Sequence, residues 1–132
     1  MNLWQYYNGD LKYPDLTKHA YIKEVAKVSP KWAFEYVEEH GINKDLEPII
    51  AKSSYFAYKY ACIINKPFPL GEHEISKRCD LSYRYANEVL KGPFPLGEPA
   101  IAKNAMFSYY YAKYVLMKDF YLDGKLICKY KG

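Results

Sequence analysis

Three cysteines, three histidines and 15 acidic side chains are the groups from which a reaction centre or a metal site would have to be drawn. Cys62, Cys79 and Cys128 are far apart, and none belongs to a CxxC pair. They indicate neither a disulfide framework nor a zinc site and read as reduced thiols. Glu72-His73-Glu74 is the one place where ligand types crowd together, but adjacent helical residues point in different directions and do not converge on one ion. His19, His40 and His73 have no nucleophile or acid partner in the sequence pattern. A Gly-rich phosphate loop, a GxSxG elbow, HExxH and a recognisable pair of catalytic carboxylates are all missing. The expectation is a protein that is not an enzyme, with no catalytic, cofactor-binding or metal residues.

What remains is the chemistry of contact. Of 132 residues 16 are tyrosine, and 19 Lys and Arg face 15 Asp and Glu for a net charge of +4. That charge is too small to imply nucleic acid by itself. No apolar run approaches the roughly 18 residues of a membrane span, and residues 1–9 lack the basic start and apolar stretch of a signal peptide. A soluble cytoplasmic protein of one domain is expected, with no membrane partner.

The elements that position these side chains come from a repeat. Pro67-Phe68-Pro69-Leu70-Gly71-Glu72 recurs letter for letter at Pro93-Phe94-Pro95-Leu96-Gly97-Glu98, a shift of 26. Ser82-Tyr83-Arg84-Tyr85-Ala86 lies over Ser108-Tyr109-Tyr110-Tyr111-Ala112, and Ala57-Tyr58-Lys59-Tyr60-Ala61 is an earlier version. A still earlier copy runs through Ser29-Pro30-Lys31-Trp32-Ala33-Phe34-Glu35-Tyr36-Val37, and Asp119-Phe120-Tyr121-Leu122 is a decayed connector. About four units of 24 to 26 residues span 17–122.

Each unit reads as a helical hairpin. A short first helix begins at Glu47-Pro48 or Glu98-Pro99, with Pro in the first turn and the acid at the positive end of the dipole. Ser29, Ser53 and Asn104 are expected to cap the longer second helix. On that helix Phe56, Ala57, Tyr60, Ala61 and Ile64 share a face, as do Leu81, Ser82, Tyr85, Ala86 and Val89. The prolines of the connector should stop the preceding helix, Gly should supply a turn other residues resist, and Phe68 and Phe94 should wedge between adjacent hairpins. Units this small must share a core with stacked neighbours. The expected fold is all-α: a short α-solenoid with atypical ends, 1–16 as an N-terminal cap and 123–132 as a basic C-terminal tail. Tyr7-Asn8-Gly9-Asp10 and Leu122-Asp123-Gly124-Lys125 are tight-turn sequences, the second flanked by residues that could form a small β-hairpin or simply cover the end of the array.

The stretch from Tyr85 to Lys103, Tyr-Ala-Asn-Glu-Val-Leu-Lys-Gly-Pro-Phe-Pro-Leu-Gly-Glu-Pro-Ala-Ile-Ala-Lys, resembles a repeat found in tandem in uncharacterised proteins of bacteriophages and large DNA viruses. The likeness covers 47–122 well and 17–41 poorly, where Asn43-Lys44-Asp45-Leu46 replaces the connector. The resemblance implies a virus-encoded accessory protein and no enzymatic activity; the expected role is to inhibit or redirect a host protein in the host cytoplasm.

Tyr60, Tyr85 and Tyr111 fall on the core face, with Tyr58, Tyr83 and Tyr109 on its flank. The outer stripe of the long helices reads Lys31, Glu35, Glu38, then Tyr55, Lys59, Cys62, then Asp80, Arg84, Asn87, then Met106, Tyr110, Lys113. It turns from acidic to basic and aromatic along the array. Tyr110 and Tyr114 stand where Arg84 and Glu88 stand one unit earlier and are expected to be exposed. Lys66, Lys91 and Lys118 are expected to end successive long helices against the negative end of the dipole. Candidate partner-binding residues are Arg84, Tyr110, Lys113, Tyr114, Lys59 and Lys91. The expected partner is a protein, host or viral; the alternative is nucleic acid held by the Lys and Tyr of the later units.

Overall fold

The computed structural model describes residues 29–131. The expected N-terminal cap, the Tyr7–Asp10 turn and the start of the first unit lie outside the described residues. From Ser29 onward long and short helices alternate. The long ones are α1 (Pro30–His40), α3 (Ser54–Ile64), α5 (Cys79–Arg84) and α7 (Ala105–Tyr110). The short ones are α2 (Glu47–Ile50), α4 (Pro69–Ile75) and α6 (Glu98–Ala102), α2 and α6 being preceded by 3-10 turns at Lys44–Leu46 and Pro95–Gly97. Strands β1 (Phe120–Leu122) and β2 (Lys125–Cys128) close the chain.

The caps follow their local chemistry. Ser53 Oγ accepts from the Phe56 N–H at 3.2 Å, and Asn104 Oδ1 accepts from the Phe107 N–H at 3.0 Å, each relieving one orphan donor of the first turn. Ser29 occupies the cap position of α1 without a side-chain bond. At the other ends Asn65, Lys91 and Met117 adopt left-handed backbone, with φ of 53°, 52° and 53°. The expected role of the lysines is thus corrected in register: Lys91 is itself the left-handed terminator, while Lys66 and Lys118 follow it by one residue. The equivalent of Lys91 is Asn65, not Lys66.

That register shift has a structural cause. Helix α3 has 11 residues of regular α-helix. Helix α5 has 6 and runs on through a π turn of 6 at Tyr85–Leu90; α7 likewise has 6, followed by a π turn of 6 at Tyr111–Leu116. The later two long helices therefore carry one residue more than α3, and the widened turn absorbs it. The unbroken α-helical period expected from sequence stops at Tyr85 and Tyr111.

Successive long helices pack on one another, α1 on α3, α3 on α5 and α5 on α7. In the short row α2 meets α4, α4 meets the turn at Pro95–Gly97, and α6 meets β1. The core between the rows holds Ile50, Ile75 and Ile101 of the short helices and Tyr60, Tyr85, Tyr111, Ala61, Ala86 and Ala112 of the long ones, all essentially without solvent exposure. Phe68, Phe94 and Phe120 are buried with them, as expected for the connector aromatics. Each packs its ring on a core tyrosine, at 4.8 Å for Tyr60–Phe68 and 5.0 Å for both Tyr85–Phe94 and Tyr111–Phe120. β1 thus delivers the third phenyl ring where the earlier connectors deliver theirs.

The glycines of the connector act differently from expectation. Neither Gly71 nor Gly97 has positive φ; a Cβ on Gly71 would lie 2.6 Å from Ala57 Cβ, and one on Gly97 would lie 2.6 Å from Ser82 Cβ. Close approach of the short helix to the long one, with the Phe ring alongside, excludes any side chain. In the first connector Leu46 stands in line with Gly71 and is fully buried, while Asn43 stands in line with Phe68 and uses its side chain to accept from the Asp45 N–H at 3.0 Å. The apolar bulk has moved from one position to the other.

The C-terminal hairpin forms as an antiparallel pair, Leu122 opposite Lys125. Asp123 and Gly124 between them have φ of 52° and 79°, both positive, as a type I′ turn requires. Lys125–Cys128 of the expected basic tail is therefore strand. Among the described residues no helix is long and apolar enough to cross a membrane.

Candidate functional site

The core tyrosines come first, because their polar tips define what is scaffold. Tyr60 donates its hydroxyl hydrogen to Glu47, Tyr85 to Glu72 at 2.5 Å and Tyr111 to Glu98 at 2.6 Å. Tyr85 and Tyr111 also accept from the N–H groups of Phe68 and Phe94, at 2.9 and 3.0 Å. One phenol thus ties an acid in the first turn of a short helix to the connector. Burial, then the bonded carboxylate, holds the hydroxyls of Tyr60, Tyr85 and Tyr111 well above the usual tyrosine range. The Ser82 and Ser108 hydroxyls donate to the Ile75 and Ile101 carbonyls. The acids were read from sequence only as dipole partners; the signal for their bond was the spacing of 13 residues, the same in all three pairs.

The flank position makes the contact between units. The Phe34 ring lies 5.3 Å from Phe56 of the next unit. Tyr58 donates to Glu88 of the next unit, and burial first, then that carboxylate, raises its pKa. Tyr83 packs 5.8 Å from Phe107 and 5.9 Å from Tyr110.

The candidate residues gather largely on α7 and its π turn. Tyr110 is half-buried, with its ring 5.8 Å from Tyr109 and 6.1 Å from Tyr114 as well as against Tyr83. Its expected exposure is corrected to partial: the Tyr83 flank covers one side of it. Tyr114 is 49% exposed. Lys113 Nζ lies 5.5 Å from the ring centres of both Tyr109 and Tyr114 and donates to the Tyr109 hydroxyl at 3.2 Å, which raises its pKa. Met106 is exposed one turn earlier on the same stripe. Arg84 lies exposed one unit back. Lys59 stands apart beside the exposed Tyr55, Nζ 5.9 Å from its ring centre, and Lys91 is exposed at the end of its π turn. The structure thus brings together Tyr110, Lys113 and Tyr114, adds Tyr109, which the sequence reading assigned to the core flank, and leaves Lys59 and Lys91 outside the cluster.

A separate groove of about 540 Å³ opens beside Lys44, Ile64, Lys66 and the Pro67–Leu70 connector. Its one carboxylate, Glu47, is engaged by Tyr60. Among the described residues no three His, Cys, Asp or Glu side chains are grouped to hold a metal ion. No protein-family model, curated protein or solved structure matches the chain.

Proposed function

We propose that this chain is a non-enzymatic protein-binding module, a short α-solenoid whose outer face engages a protein partner in the cytoplasm. The observation that carries the reading is the cluster of Tyr109, Tyr110 and Tyr114 around Lys113, with Met106 and Arg84 at its edges. Tyr, Met and Arg are the residue types enriched in protein interfaces and their hot spots. Rings that pack on one another are held rigid before binding, so less conformational freedom is lost on association. The earlier units place Lys59 and Arg84 at the position of Tyr110, and Ile63 and Glu88 at that of Tyr114; the α3 unit also exposes apolar side chains, Tyr55 and Ile63, but rings packed around a lysine are found on α7 and its π turn. Likeness of the connector repeat to viral tandem-repeat proteins supports a viral accessory role, in which binding inhibits or redirects a host protein.

Affinity capture from a bacterial host lysate treated with nuclease, run in parallel with Arg84→Ala, Lys113→Ala and Tyr114→Ala, tests the reading. A host protein retained by the parent and lost from the variants is expected. Copurifying 260 nm absorbance with steeply salt-dependent retention would replace a protein partner by nucleic acid.

A further inference from the structure

The four flank positions 34, 58, 83 and 109 form a series. Phe34 and Tyr58 are 4% and 7% exposed, and each is covered by the long helix of the following unit. Tyr83 is half-buried by Phe107 and Tyr110. Among the described residues no long helix follows α7, and Tyr109 is 37% exposed. Strand β2 contacts α7 and replaces part of the missing unit, but Tyr109 stays uncovered.

We infer that Tyr109 and Lys113 form a docking site for an amphipathic helix of a partner protein that presents an apolar ring to Tyr109 and a carboxylate to Lys113, seated against the outer face of α7. This rests on the protein-binding reading and specifies the partner. The array itself supplies the template. A following helix meets the flank aromatic with a large apolar ring, Phe56 against Phe34 and Phe107 against Tyr83, and at a second position with the Glu88 carboxylate against Tyr58. Glu88 lies seven residues after Leu81, the equivalent of Phe56 and Phe107, and the π turn at Tyr85–Leu90 carries its carboxylate to Tyr58. Charge then selects the acid. The residue four after the flank is Glu38, Cys62 or Asn87 in the three units followed by another long helix and Lys113 in the last of the series. Lys113 forms no ion pair among the described residues; its ammonium faces Tyr109, Tyr114 and Tyr130. A partner carboxylate would accept from both Lys113 and the Tyr109 hydroxyl.

The test uses a hydrocarbon-stapled helical peptide with the sequence of residues 79–91 carrying Leu81→Phe, titrated into the full chain by NMR. Saturable shifts at Tyr109 and Lys113 are expected. Lys113→Glu should weaken binding about tenfold, the loss of one charge-assisted pair, and a peptide with Glu88→Lys should restore it. Absence of saturation, or affinity indifferent to Lys113→Glu, overturns the inference. So does concentration-dependent self-association abolished by Tyr109→Ala, which would make a second copy the occupant. If a host protein is captured through Arg84 and Tyr114 but is indifferent to Tyr109→Ala, this inference falls and the protein-binding reading stands.

Discussion

Replacing Tyr85 by Phe removes one oxygen and leaves the ring that packs on Phe94 in place. Two bonds go with it. The Phe68 N–H, in a fully buried setting, loses its acceptor, and an orphaned buried donor costs about 1 to 3 kcal/mol. The Glu72 carboxylate loses a donor at 2.5 Å, but it is half-exposed and water takes over, so that share is about 1 kcal/mol. The expected loss is about 2 to 4 kcal/mol. Tyr60→Phe is the internal control, since the Tyr60 hydroxyl bonds Glu47 and, among the described residues, accepts no backbone N–H; its loss should be about 1 kcal/mol. Urea unfolding followed at 222 nm, with the slope unchanged between variants, measures both. At about 3 to 5 °C per kcal/mol, the two midpoints of thermal unfolding should differ by about 5 °C or more. Equal losses at the two sites would refute the argument, because only the orphaned N–H distinguishes them.

Alkali should act on the same groups. Tyr60, Tyr85 and Tyr111 have folded-state pKa values raised by burial and by their glutamates, so the stability they confer is complete below about pH 10 and is lost as pH climbs beyond it. Absorbance at 295 nm should rise in two stages, the second coinciding with loss of helix; one stage with the fold intact would contradict the burial. Gly71→Ala and Gly97→Ala should each cost about 1 to 3 kcal/mol by overpacking, whereas Gly92→Ala, whose nearest atom would be 3.9 Å away, should stay within about 0.5 kcal/mol in the same assay. Phe94→Ala should cost about 3 to 5 kcal/mol, and a loss under 1 would mean the connector is not wedged. Deleting the exposed Asn87 should convert the first π turn-bearing helix, α5, to the length of α3 with its circular dichroism retained, while deleting Cys62 from α3, which holds no spare residue, should lower the melting temperature clearly more.

Much of this scaffold was legible because the chain writes it more than once. Two identical connectors identified Phe68 and Phe94 as shared structure, and the decayed third placed Phe120 correctly although its backbone is strand. Ser53 and Asn104 announce their caps by residue type alone. The π turns were not legible, since one added residue in a repeat reads equally well as a longer loop; the backbone reveals where it went, the left-handed residue coming five after Tyr60 but six after Tyr85 and Tyr111. The glycine role was hidden for a related reason. Gly between helix and helix looks the same in sequence whether the backbone needs positive φ or the opposing Ala57 and Ser82 need room. The Tyr–Glu bonds were missed because each residue already had a sufficient local explanation, the phenol as core and the acid as a partner of the helix dipole.

The functional surface was legible for the opposite reason, from the differences between copies. Arg84, Asn87 and Glu88 in one unit become Tyr110, Lys113 and Tyr114 in the next, and the structure packs the new set around a single ammonium. Sequence could not say that Tyr83 would cover Tyr110 while Tyr109 would stay open, because a flank residue is buried by the unit that follows it. Tyr58 and Tyr109 hold equivalent positions and differ in exposure, 7% against 37%, through what comes after them in the chain. Position in the array, not residue type, turns a packing side chain into a contact side chain, and the last long helix is where that change falls together with the one lysine of the series.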